Sequence, residues 1–173
     1  MKYGLWLQPT GKSYEDLQNL INELARKFDC PVFEPHVTLL GGIDVNLEEL
    51  ISKTEKLAKL SSSFKIKLEN TSFSSTYFQN VFYLVEPNKD LLDLRIKLHG
   101  FFPNKVDEAY FPHFSLTYGD YSAEQRQEIL EYVKNKNLRF GFEISSINIS
   151  QAETKDTKTW SVTQKFSLKR QFV

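Results

Sequence analysis

Two of the chain's three histidines sit in nearly the same frame, FEPHVTLL around His36 and YFPHFSLT around His113. Each follows a Pro, each is followed two positions later by a hydroxyl residue, Thr38 or Ser115, and then comes Leu39 or Leu116. In an extended strand, side chains at i and i+2 share a face. His36 and Thr38 therefore project together, as do His113 and Ser115, with Val37, Leu39, Phe114 and Leu116 turned to the other side. Two imidazoles and two hydroxyls meeting in one cleft suit the cleavage of a phosphodiester without a metal. One neutral imidazole takes a proton from an attacking water, and the other, protonated, gives one to the leaving alkoxide. An ordinary pKa near 6.5 fits both roles. The hydroxyls would donate to the non-bridging oxygens, where charge builds in the transition state. A cyclic phosphate fits best, because it is compact and strained and carries the leaving and retained oxygens in one ligand.

Such convergence needs elements that bring the two strands together. The opening KYGLWLQ reads as a strand ended by Pro9 and Gly11. Ser13 with Asp16 has capping spacing, and Leu17, Leu20, Ile21, Leu24 and Phe28 follow at helical intervals. The first motif reads as a strand over 32–40, ended by Gly41-Gly42, and Leu47, Leu50, Ile51, Leu57 and Leu60 mark a second helix. Phe64, Ile66 and Leu68 alternate with charged residues as a half-buried strand, and TYFQNVFYLVE is a β-prone run before a helix from Pro87. The second motif is again a strand. Ser122 and Gln125 then form a capping box, and RFGFEISSINIS and TWSVTQKFSL read as two closing strands. Shifting the chain on itself by 77, the difference between 113 and 36, puts Leu5-Trp6 on Phe82-Tyr83, Leu17 on Leu94, Ile21 on Leu98 and Lys65 on Phe142. Strands fall on strands and helices on helices, so the spacing predicts an internal duplication with a pseudo-twofold axis between the motifs.

Composition narrows the partners. The formal net charge is zero, without the basic field expected of a protein that holds long nucleic acid. Cys30 is the only cysteine and can form no internal disulfide. The N-terminal stretch has no signal-like apolar core, and no apolar run approaches membrane-spanning length. A cytoplasmic, monomeric single domain of two pseudo-symmetric lobes, 1–173, is expected, with a small ligand and no membrane partner. A metal would need a third ligand beside the two histidines, and Glu34 and Asp120 lack ligand spacing. No cofactor is expected. His99, near the end of LRIKLHG, suits a helix C-terminus.

The two motifs resemble the paired H-x-S/T-hydrophobic signature of the two-histidine (2H) phosphoesterase superfamily. The likeness extends to the plant and yeast cyclic phosphodiesterases through LWLQP, FEPHVT, YFQNVF, PHFSLTY and the acidic, Thr-rich TKDTKTW, in that order along nearly the whole chain. The resemblance implies a bilobal α+β fold with two antiparallel sheets around a central cleft and outer helices. It implies cofactor-free opening of 2′,3′-cyclic nucleotides, or of ADP-ribose 1″,2″-cyclic phosphate, to a monophosphate. By position, His36 and His113 become acid and base, Thr38 and Ser115 phosphate donors, Trp6 a wall or stacking surface, and Tyr118 a flank of the phosphate. Alternation from His113 sends Tyr118 to the core unless the strand bulges or ends near Thr117. Phe78 and Gln79 suit either the cleft lining or the plain sheet. An RNA-end 2′,3′-cyclic phosphodiesterase, a cyclic-oligonucleotide nuclease and a non-catalytic nucleotide-binding module are the alternatives on the same fold.

Overall fold

The computed structural model describes residues 2–104, 110–136 and 138–170. Along the chain it forms β1 (Tyr3–Leu7), α1 (Gly11–Phe28), β2 (Val37–Ile43), α2 (Leu47–Lys59), β3 (Phe64–Thr76), β4 (Gln79–Val85), α3 (Lys89–Phe101), β5 (His113–Thr117), α4 (Ala123–Asn135), β6 (Gly141–Ile144), β7 (Ser146–Gln151) and β8 (Ser161–Ser167). Shifted by 77, the first five elements fall on β4, α3, β5, α4 and β6, with Val37 landing on Phe114 and Phe64 on Gly141.

Local chemistry sets most boundaries. Asn46 and Asn88 cap α2 and α3 by accepting from the amides of Glu49 and Leu91, and Ser122 and Gln125 make both bonds of a capping box on α4. The expected Ser13 cap is replaced by an earlier start. α1 begins at Gly11, its N-cap Thr10 makes no side-chain bond, and Ser13 lies within the first turn. The first motif enters the ladder only at Val37, because Pro35 has no N–H to give, and the strand runs on through Gly41-Gly42 to Ile43. RFGFEISSINIS forms two strands rather than one. Its buried apolar residues change phase between Ile144 and Ile147, which one flat strand cannot satisfy on a single face, and the chain breaks at Ser145. In TYFQNVFYLVE, Tyr77-Phe78 make the turn of a β3–β4 hairpin.

The strands form one antiparallel sheet ordered β6-β3-β4-β5-β2-β1-β7-β8. The two expected sheets are thus its four-stranded halves, joined at β2–β5 where Val37 faces Phe114. Neither half-sheet comes from one half of the sequence. β3 crosses to pair with β4 and β6, while β7 comes back beside β1. α1 lies across β5, α2 against β7 and β8, and α4 against β3 and β4. Leu5, Leu7, Val37, Leu39, Phe114 and Leu116 are fully buried, each contributing about 2 kcal/mol of apolar burial. The neighbouring register pairs, Trp6 with Thr38, Phe82 with Ser115 and Leu84 with His113, belong to the opposite face. Among the described residues, no helix is long and apolar enough to cross a membrane.

Candidate active site

Both motif histidines stand at the mouth of the β2–β5 seam, His36 one residue before β2 and His113 opening β5. Their rings are held by the same device. His36 Nδ1 lies 2.7 Å from the carbonyl oxygen of Glu34, and His113 Nδ1 lies 2.9 Å from that of Phe111. A carbonyl only accepts, so each Nδ1 carries its proton and each neutral ring keeps its lone pair on Nε2. The Pro between acceptor and histidine fixes the backbone that presents the carbonyl.

The two rings otherwise live differently. His36 is 5% exposed and stacks on Trp6, centroids 3.8 Å apart and planes 12° from parallel. Burial is the main cause that lowers its pKa to about 4. The repulsion of His113 adds to this, and the Glu34 carbonyl opposes it. His113 is half-buried, with Phe82 at 5.2 Å and Phe111 at 5.8 Å. Its pKa is also lowered by burial, against the pull of the Phe111 carbonyl.

His36, His113, Thr38, Trp6 and Tyr118 line one cavity of about 540 Å³, with Phe78, Gln79 and Trp160. Ser115 lies under it. Ser115 is buried, and its hydroxyl donates to the Phe78 carbonyl at 3.3 Å. Tyr118 reaches the cleft because β5 ends at Thr117. The chain then turns at Gly119, where φ is +154° and a Cβ would stand 2.5 Å from the Tyr121 ring. That turn is tied by Gly119 N–H to the Tyr77 carbonyl and by the fully buried Asn80 to the Gly119 carbonyl. Lys2 and Glu153 are the charged residues among those lining the cavity, and the Lys2 main-chain amide donates to the Glu153 carboxylate. Among the described residues, no group of three or more His, Cys, Asp or Glu is placed to hold a metal ion.

Trp160, the last residue of the TKDTKTW segment, is one of the lining residues to which the sequence alone gave no role. It packs 6.0 Å from Trp6 and 5.4 Å from Tyr118, and its indole N–H donates to the Thr154 carbonyl. The TKDTKTW segment builds that position. Asp156 caps a short 3-10 turn over Thr157–Thr159, Thr159 bonds back to the Asp156 carbonyl, and Thr157 donates to the Val32 carbonyl. The density of capping Thr and Asp just before a Trp was the available signal. His99 lies in the last turn of α3 and is not among the residues lining the cavity.

The family model described as cyclic phosphodiesterase-like protein matches residues 1–170. A putative phosphoesterase of Oceanobacillus iheyensis is 26% identical over 98% of this chain and 99% of its own length. The cyclic phosphodiesterase of Arabidopsis thaliana is 23% identical, over 91% and 90%. A 2′,3′-cyclic-nucleotide 3′-phosphodiesterase of Yarrowia lipolytica is 34% identical over 75% of this chain and 62% of its own. Among solved structures, a Thermus thermophilus protein superposes with a TM-score of 0.70 at 19% identity, over 99% of this chain and all of that one. Escherichia coli LigT complexed with 3′-AMP superposes at 0.62 and 13% identity, over 97% and 98%. With a match over all but the last three residues and relatives aligned nearly end to end, the chain belongs to the cyclic phosphodiesterase-like family and is an enzyme of that kind.

Proposed function

We propose that the protein is a metal-independent cyclic phosphodiesterase that opens small 2′,3′-cyclic nucleotides, or ADP-ribose 1″,2″-cyclic phosphate, to the monophosphate. The observation that carries this reading is the mirrored pair of imidazoles. Each is tied at Nδ1 to the carbonyl two residues before it, and both line the cavity that also holds Thr38. Burial leaves both rings neutral in the empty protein near pH 7. A bound phosphodiester anion favours the imidazolium, and the less desolvated His113 is the ring that takes the proton. His36 then acts as base. Its Nε2 accepts a proton from water as the water oxygen bonds to phosphorus, and the bond from phosphorus to one ribose oxygen breaks as His113 gives that oxygen its proton. Thr38 donates to a non-bridging oxygen, and Ser115 does so after turning from the Phe78 carbonyl. Lys2 beside Glu153 gives the cavity little fixed charge, which suits a singly charged diester whose counter-charge is an imidazolium. Phe78, Tyr118 and Trp160 offer apolar faces for a nucleobase.

The test is to incubate the protein, with EDTA, with the four 2′,3′-cyclic mononucleotides, ADP-ribose 1″,2″-cyclic phosphate and an RNA ending in a cyclic phosphate. Products are identified by mass and phosphorus NMR. Opening of the small substrates in EDTA is expected. No turnover of any of them, or turnover lost in EDTA and restored by zinc or magnesium, overturns the proposal.

A further inference from the structure

A buried chain of amides leads from β7, between β1 and β8 in the sheet, to the approach of His36. Gln8, just past β1, is 3% exposed, and Asn148, on β7, is 1% exposed. The Ser146 hydroxyl donates to Asn148 Oδ1 at 2.8 Å, Asn148 Nδ2 donates to Gln8 Oε1 at 2.7 Å, and Gln8 Nε2 donates to a Glu34 carboxylate oxygen at 2.8 Å and to the Pro35 carbonyl at 3.4 Å. The directions are fixed from the Glu34–Pro35 end. A carboxylate and a carbonyl only accept, so Gln8 turns its nitrogen to residues 34 and 35 and its oxygen to Asn148. Asn148 must then give Gln8 its own nitrogen, which leaves its oxygen to accept from the Ser146 hydroxyl.

Those two residues immediately precede His36, and the Glu34 carbonyl is the acceptor that holds the His36 Nδ1 proton. The segment 32–36 makes no ladder of its own, since β2 begins at Val37. The second motif shows what the segment would otherwise have. There the Pro112 carbonyl accepts from the main-chain amide of Val85, 3.3 Å away, and the residue that register sets opposite His113 is the apolar Leu84. In the first motif a side chain does the work of a backbone amide. Two buried amides in a sheet interior are costly unless fully bonded, and this pair spends its bonds on the approach to one histidine.

We infer that Gln8, oriented by Asn148 and Ser146, is a positioning residue that holds the Glu34–Pro35 backbone and thereby the tautomer and aim of His36. This inference rests on the role proposed above for His36, but its primary readout does not require turnover. The experiment records long-range ¹H–¹⁵N imidazole spectra of the labelled full chain, together with kcat and KM for a 2′,3′-cyclic nucleotide, for the wild type, Gln8→Leu and the near-isosteric Gln8→Glu. In the wild type both rings should show the Nδ1–H pattern. In Gln8→Leu and Gln8→Glu, His36 should shift toward a mixture with Nε2–H while His113 keeps its pattern, and kcat should fall roughly 10- to 100-fold, the scale of an outer group that orients a reacting one, with KM little changed. Should Gln8→Leu fail to fold by thermal melting, Gln8→Glu and Ser146→Ala decide, the latter with the same direction and a smaller size. A folded Gln8 variant in which His36 keeps the pure Nδ1–H pattern, or in which KM rather than kcat changes, overturns the inference. A wild type that shows the expected tautomers but opens no cyclic phosphate overturns the proposed reaction and leaves the positioning of His36 standing.

Discussion

The two lobes carry the same five-residue signature, yet they hold their histidines by different means. In the first lobe, His36 is stacked on Trp6, almost sealed from solvent, and its approach is held by the side chain of Gln8. In the second, His113 stands half-open with Phe82 tilted 60° against it, and its approach is held by the main chain of Val85. Register makes Phe82 the partner of Ser115, as Trp6 is of Thr38, so the same frame is filled with a flat stacking surface on one side and an edge on the other. The lesson concerns acid–base chemistry. A symmetric pair of imidazoles would share one affinity for protons, whereas unequal desolvation separates the two and lets one be neutral while the other is charged.

The strongest way to break this comparison is to remove each ring in turn. His36→Ala and His113→Ala should each lower kcat by about 10²–10⁴-fold, the range for one acid or base, with folding retained by circular dichroism. Near-native turnover in either variant would remove that ring from the reaction. The asymmetry should also show in stability. His36 is neutral in the fold down to about pH 4, while in the unfolded chain it takes a proton near pH 6.5. Between those values the unfolded state binds more protons, so stability is intact above pH 6.5 and falls as pH falls toward 4, by about 3 kcal/mol from this group. Urea midpoints between pH 7 and 4 should therefore decline less in His36→Gln than in the wild type, and His113→Gln should relieve less of the decline. Equal relief from both would mean the two rings are equally desolvated.

Smaller effects sharpen the same contrast. Thr38 lines the cavity, whereas the Ser115 hydroxyl is given to the Phe78 carbonyl. Thr38→Ala should cost about 10² in kcat, the scale of one transition-state donor, and Thr38→Ser should recover most of it. Ser115→Ala should cost about tenfold, as for one neutral hydrogen bond. A loss at Ser115 as large as that at Thr38 would show that the two hydroxyls bear equally on the phosphate despite the bond Ser115 gives up. Last, both free-enzyme pKa values lie below the ordinary imidazole value. The bell of kcat/KM should accordingly centre below pH 6.5, and that of kcat should lie at higher pH than that of kcat/KM, because the bound anion raises both groups. His36→Gln should flatten the acidic limb, and a profile rising steadily into alkali would remove the protonated histidine from the mechanism.

The sequence made the alternation of strands and helices legible because α1, α2 and α4 carry clear apolar stripes and Ser122 with Gln125 announces the start of α4, whereas the Asn46 and Asn88 caps went unread and Ser13 does not cap α1. It made the paired motif legible because the i and i+2 rule needs only local geometry. What it hid was non-local. Nothing near Ser145 says that β6 and β7 go to opposite half-sheets, though the change of apolar phase from Ile144 to Ile147 announces a break. Strand alternation alone sent Tyr118 inward, and only the end of β5 and the Gly119 turn bring it to the cavity. Gln8 reads as an ordinary residue at the end of a strand. Its meaning depends on Asn148, 140 positions away.

The return of β7 to the side of β1 also governs when the site can exist. Tyr3 pairs with Gln151 and Trp6 with Asn148, so one wall of the cleft closes a loop that contains nearly the whole chain. Contacts of such high sequence separation are paid for late in folding, after the loop entropy has been met. On the ribosome both histidine motifs emerge well before residues 146–160, which supply Asn148 and Trp160. A nascent chain bearing His36 and His113 thus has its reactive groups but not the framework that aims them, and catalytic competence should arrive as a single late event, when the last strands dock, rather than accumulate lobe by lobe.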